Sequence, residues 1–207
     1  MRQRVRNVSN RSAVLALVAG LIAASALAFA DRSARRPPAL RPAAAASRLA
    51  LHSPDVTPGD TIALGHVYDA SGCHGGNISP ALSWTHPPAG TRSFAVLMFD
   101  PDAPGGGWWH WAAFDIPAGV TSLQAGAGNP GRHLLPAGAI QARNDFGSPG
   151  YGGPCPPPGP PHHYHLMLYA LRVARLGLDA GASAAQVAAK ARSDALAEGQ
   201  IVGTYGR

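Results

Sequence analysis

SFAVLMFDPDAPGGGWWHWAAFDIP, residues 93–117, decides how the rest of this 207-residue chain is read. Ser93–Phe99 is almost continuously apolar, so neither face of that segment can meet water, and it belongs in the middle of a sheet covered on both sides. It runs into Asp100-Pro101-Asp102-Ala103-Pro104, a proline-stiffened turn. Gly105–Gly107 then lead into a second apolar strand, Trp109–Ile116. Asp and Pro build turns routinely, yet two carboxylates just beyond a buried strand also stand where binding groups collect. His110, set among Trp108, Trp109 and Trp111, has two readings. It is a hydrogen-bonded core imidazole, or part of a pocket wall where an imidazole meets a partly apolar ligand.

Further along, 12 of the 15 residues in Gly147–Pro161 (GSPGYGGPCPPPGPP) are Gly or Pro, a composition that excludes a helix or a strand interior. The segment is either an exposed spacer or a shaped rim whose backbone N–H groups face an anion. It leads into His162-His163-Tyr164 at the head of another core strand, His163–Val173, in which both alternating sets are largely apolar. Gly or Pro every few residues predicts short strands and loops elsewhere, with Thr61–Tyr68 and Ile201–Tyr205 as further strands. One helix is expected: Ser183 as N-cap, Gln186 at capping-box spacing, helix formers from Ala184 to Glu198, and Gly199 as the stop. A β-rich domain with a late helix results.

The formal charge of +6 suggests nucleic acid or an anionic surface as partner, until it is located. Arg2, Arg4, Arg6 and Arg11 precede an uncharged stretch, Ser12–Ala30, that ends in Ala28-Phe29-Ala30. This is the pattern of an export signal over residues 1–30, with an uncleaved membrane anchor as the competing reading. Residues 31–48 (DRSARRPPALRPAAAASR) read as an Arg/Pro/Ala-rich tether. The two segments hold nine of the 17 basic residues and one of the 11 acidic ones, leaving eight bases against ten acids in residues 49–207. The folded part is therefore not basic, and nucleic-acid binding loses its main support. With 46% hydrophobic residues the chain can build a core, so overall disorder is excluded. Two Cys without CxxC spacing exclude a disulfide-dense miniature scaffold and a zinc finger.

In order and spacing these elements form a specific combination. SPALSWTHPP (Ser79–Pro88), DPDAP (Asp100–Pro104), HWAAFDIP (His110–Pro117), NDFGSPGYGGPCPPPG (Asn144–Gly159), HHYHLMLYAL (His162–Leu171) and the closing GTYGR resemble the phosphatidylethanolamine-binding protein family. The likeness is greatest to its bacterial Raf-kinase-inhibitor-like branch, and it covers residues 49–207. It implies a β-sandwich of two antiparallel sheets with a C-terminal helix and a small anion pocket at one end. Carried across, the pocket residues are Asp100, His110, the Gly153-Pro154 region, His162 and Tyr164, with Asp102 supporting the turn. Where the family commonly has Arg between the His and the Tyr, this chain has His163, which removes a fixed positive charge; spacing from Tyr164 favours His162 as the inward residue. The resemblance also puts Cys73 and Cys155 at the pocket end. In an exported protein such a pair oxidises, and a Cys73–Cys155 disulfide closing about 82 residues would contribute roughly 4–5 kcal/mol in the chain-entropy model.

The residue types suit that reading. Imidazoles and loop N–H groups supply donors to phosphate or carboxylate oxygens, Asp can hold a His tautomer, and the Trp-rich strand offers an apolar wall. GxSxG, HExxH and Ser-x-x-Lys are absent. The expected function is thus that of an exported, non-catalytic binding module for phospholipid headgroups or similar small anions, without a cofactor and without nucleic acid. A kinase or protease partner acted on through the same pocket is implied by the resemblance. The competing reading is a metal-dependent hydrolase using Asp100, Asp102, His110 and His162.

Overall fold

The computed structural model describes residues 48–207; the expected export signal and all of the expected tether but Arg48 lie outside them. The fold is mainly β, two antiparallel sheets and one C-terminal helix. The strand expected to be doubly covered is β3 (Ser93–Asp100), the centre of a five-stranded sheet. It pairs on one side with β4 (Trp108–Pro117), which pairs in turn with the short edge strand β6 (Ile140–Gln141). On the other side lie β7 (His162–Leu171) and then β8 (Ala195–Tyr205). A three-stranded sheet of β1 (Ala50–His52), β2 (Leu82–Thr85) and β5 (Ser122–Leu123) covers one face.

Alternation along β3 serves two cores. Phe94, Val96 and Met98 pack with Trp84, Trp111, Leu166 and Leu168 between the sheets. Ala95 and Leu97 face the opposite way, with Phe114, Met167 and Tyr169, and are covered by Ala184, Val187, Ala188 and Ala191 of the helix α1 (Ala184–Asp194). Helix α1 starts as expected: Ser183 Oγ accepts from Gln186 N at 3.2 Å, and Gln186 Oε1 accepts from Ser183 N at 2.8 Å.

Two expected elements differ. Helix-forming residues run on to Glu198, but the helix ends at Asp194 because the chain from Ala195 pairs with β7, from Ala195 opposite Leu171 to Tyr205 opposite His162. This long ladder, broken only by a register shift between Ala170 and Leu171, outweighs a helix propensity worth tenths of a kcal/mol per residue. Gly199 does not stop a helix; it lies within β8, where a Cβ would come 2.8 Å from the Leu49 carbonyl oxygen. Thr61–Tyr68 is not a strand but an irregular brace around a 3₁₀ turn at Leu64–His66. Its backbone is shared between neighbours: Asn77 N donates to Val67 O at 2.8 Å and Tyr68 N to Pro154 O at 3.1 Å. Cys73 and Cys155 form the expected disulfide, 82 residues apart. Among the described residues no helix is long and apolar enough to cross a membrane.

Candidate functional site

Strands β3, β4 and β7 end together, and their ends bring distant motifs to one place. Asp100 closes β3, His110 is the third residue of β4, and His162 and Tyr164 open β7. These four side chains line a cavity of about 180 Å³. The turn after β3 adds Ala103 and Pro104, and Trp108 joins from β4. Phe146 and the segment Cys155–Pro157 complete the wall.

Each polar group is fixed by specific partners. Asp100, 2% exposed, accepts from His162 Nδ1 through Oδ2 at 2.7 Å and from the Asp102 N–H through Oδ1 at 2.9 Å. His110, also 2% exposed, sends Nδ1 to the carbonyl oxygens of Gly152 at 2.7 Å and Gly153 at 3.1 Å. Carbonyls only accept, so Nδ1 carries the hydrogen and the neutral ring keeps its lone pair on Nε2. Burial, above all, holds this imidazole below its ordinary pKa of 6.5, against the pull of the two carbonyls and of Asp100. The ring is boxed edge-on by Tyr164 at 5.2 Å and Phe146 at 5.5 Å. Tyr164 is fully buried, and its hydroxyl pKa is pushed well up, first by burial and then by Asp100, so the hydroxyl remains protonated. Its oxygen and Trp108 Nε1 are shielded from solvent and have no hydrogen-bond partner in the protein. Leaving such groups unpaired costs about 1–3 kcal/mol each, which an acceptor brought by a ligand would recover.

The Gly/Pro segment is not a spacer, and few of its N–H groups are left to face an anion. Gly152 N donates to His110 O at 2.9 Å, Tyr151 N to Gly128 O at 2.8 Å and Gly153 N to Asn77 Oδ1 at 2.8 Å. From Gly150 to Pro158 only Cys155 has an N–H without a partner. Gly153 and Pro154, expected in the pocket, stand behind its wall: a Cβ on Gly153 would come 2.1 Å from the His66 carbonyl oxygen, and the Pro154 carbonyl accepts from Tyr68. What Gly152 and Gly153 give the site is the pair of carbonyls that sets the His110 tautomer.

His162 is the inward residue of the pair, and His163 faces water. His163 donates its N–H and its Nδ1 to Asp102 Oδ2, each at 2.7 Å, and this holds the Asp102 carboxyl below the ordinary value of 3.8. Asp102 thus ties the turn to β7 and lines no part of the cavity. Among the described residues no group of three or more His, Cys, Asp or Glu is placed to hold one metal ion, as the separate engagements of Asp102 and His110 lead one to expect. Sequence reading missed Phe146 altogether. The signal was present, a large apolar aromatic at the head of a Gly-rich stretch; it stacks on Tyr68 at 4.2 Å, and Gly152 leaves room for its ring. A larger groove of about 560 Å³ lies elsewhere, along Leu134–Gln141. With His133 as its one titratable lining residue, it offers far less chemistry than the smaller cavity.

Among the comparisons with known proteins, the family match follows the same boundaries as the fold. The family model for phosphatidylethanolamine-binding protein matches residues 52–206. The UPF0098 protein YbcL of Escherichia coli is 41% identical over 187 residues, 89% of this chain and 97% of the relative. A second Escherichia coli UPF0098 protein, YbhB, is 42% identical over 156 residues, 75% of this chain and 98% of the relative. "Putative lipoprotein LppC" of Mycobacterium tuberculosis is 38% identical over 168 residues, covering 81% and 77%. The crystal structure of Escherichia coli YbcL, described as a new member of the mammalian PEBP family, aligns with TM-score 0.76 at 42% identity, over 78% of this chain and 99% of that one. The sandwich, the convergence of the three strand ends and these matches agree: the chain belongs to the phosphatidylethanolamine-binding protein family.

Proposed function

We propose that this protein is an exported, non-catalytic binding module for a small phosphate- or carboxylate-bearing ligand, with a phospholipid headgroup as one source of that chemistry. The observation that supports it is the cavity in which His110, Tyr164 and the Asp100–His162 pair meet apolar walls from Trp108, Phe146 and three prolines. Such a mix of few oriented polar groups and much apolar surface suits a small ligand with a charged head and a short carbon stem. The disulfide favours an oxidising compartment. The relative named as a lipoprotein points the same way, as does the Arg-led apolar stretch of residues 1–30. A kinase or protease partner, which the family resemblance implies, would act at the rim of the same cavity. Titration calorimetry with phosphoethanolamine is the test. The native protein is expected to bind saturably, and His110→Ala to bind at least about tenfold more weakly. No heat with any phosphate ligand at about pH 6 or about pH 8, where its protonation differs, would overturn the reading.

A further inference from the structure

The cavity lacks what an anion site usually offers. None of its lining residues is Lys or Arg, and the one carboxyl side chain in the wall is Asp100. The adjacent Gly-rich loop has spent its N–H groups inside the protein, Cys155 apart. The His110 edge available to a ligand is that of Nε2, because Nδ1 is committed to the Gly152 and Gly153 carbonyls at 2.7 and 3.1 Å. In the neutral ring this nitrogen accepts and cannot donate. The remaining polar groups of the wall are His162, whose Nδ1 is committed to Asp100, and two donors without a partner in the protein, the Tyr164 hydroxyl and Trp108 Nε1. The wall thus presents neutral donors beside a proton acceptor.

We propose that the site selects its ligand by a proton the ligand itself carries: it takes phosphomonoesters as the monoanion, whose P–OH donates to His110 Nε2, and discriminates against anions that have no such proton. This rests on the anion-binding reading above and narrows it. An intact phospholipid headgroup is a phosphodiester and has no P–OH; a free phosphomonoester such as phosphoethanolamine has one below its second pKa of about 6. A dianion would meet Asp100 and the Nε2 lone pair. To bind an unprotonated anion, His110 would first have to take a proton from water, which its burial opposes. The titratable groups around it are Asp100 from β3, Asp145 from the loop before the Gly/Pro segment, and His162 and Tyr164 from β7. Asp100 and His162 hold each other through Oδ2 and Nδ1, which leaves His110 Nε2 as the acceptor beside them.

Ethyl phosphate and ethyl sulfate separate the proton from everything else. Near pH 5.5 both carry about one negative charge on a tetrahedral head, and only the phosphate has a P–OH. The affinity ratio cancels titrations of the protein that act on both ligands alike. We expect phosphate to be favoured at least about tenfold near pH 5.5, and the ratio to fall toward unity near pH 8 as the ester loses its proton. Glycerophosphoethanolamine, a diester, is expected to behave like the sulfate. His110→Gln, whose amide can turn an NH₂ inward, is expected to narrow the ratio to within about threefold; if that variant fails to fold, the pH dependence of the ratio in the native protein still decides. Phosphate and sulfate binding within about twofold near pH 5.5, or a ratio unchanged to pH 8, overturns the proposal while leaving anion binding intact. Absence of binding by all three ligands at every pH overturns both.

Discussion

Asp100–His162 and Asp102–His163 are nearly the same interaction made twice. Each joins a carboxylate at the end of β3 or in the turn just after it to an imidazole at the head of β7, and each closes Oδ2 to Nδ1 at 2.7 Å. Their surroundings differ. In the first pair the Asp and His side chains are 3% and 12% exposed; in the second, 41% and 56%. Alternation along a strand sends neighbours to opposite faces, so a step of one residue in β7 and two in the turn moves the pair from the cavity wall to water. In water the attraction is screened and worth little. Inside, each partner needs the other, because an uncompensated buried charge costs several kcal/mol. The inner pair builds the site, and the outer one ties the turn to the strand through the His163 N–H as well.

The most drastic way to erase that contrast is to open the wall. Cys155 borders the cavity, and its bridge to Cys73 closes 82 residues. Replacing both cysteines by Ser is expected to remove up to about 4–5 kcal/mol of stability, read as a lower urea midpoint. A loss below about 1 kcal/mol would mean that the remaining ties suffice, among them Arg207, which donates to the Pro156 and Gly72 carbonyls across the same gap.

Next in size is the direct comparison. Asp100→Asn keeps an acceptor for the Asp102 N–H but weakens the charged bond to His162, and about 2–3 kcal/mol should be lost together with ligand binding. Asp102→Asn should cost less than about 1 kcal/mol and leave binding nearly unchanged. Equal losses in paired urea titrations would refute the distinction drawn from burial.

The smallest effect is in pH. His110 is held below its ordinary pKa by burial, so between the folded value and 6.5 the unfolded chain binds the proton that the folded one refuses. Stability from this group is therefore complete above about pH 6.5 and is lost as pH falls. Asp102, also lowered, adds a loss of the same sign further into acid, below 3.8. His110→Gln should flatten the decline between about pH 5 and pH 7 by up to about 1.4 kcal/mol per pH unit, the ceiling for one proton. His163→Gln should leave that decline in place.

Particular residues show how far the chain could be read without its fold. The apolar run at 93–99, the capping box of Ser183 and Gln186, and the location of the positive charge are local patterns, and the structure meets the first two. His162 as the inward imidazole followed from its spacing to Tyr164 on one strand. Phe146, the helix end at Asp194 and the brace at 61–68 were not legible, because each depends on a neighbour far along the chain.

By itself the sequence determined a doubly covered central strand, a near-neutral folded part behind an Arg-rich N-terminal stretch, and the residue types gathered in the site. Only the tertiary structure decided which of those groups have anything left to offer a ligand. His110 meets its carbonyls 42 and 43 residues away. Gly153 gives its N–H to a side chain 76 residues back, and Asp100 meets His162 across 62. Periodicity records which face a residue turns, since that is fixed within a few neighbours. A hydrogen bond is exclusive and made at long range, so what a donor or acceptor can still do is known only once its partner has arrived.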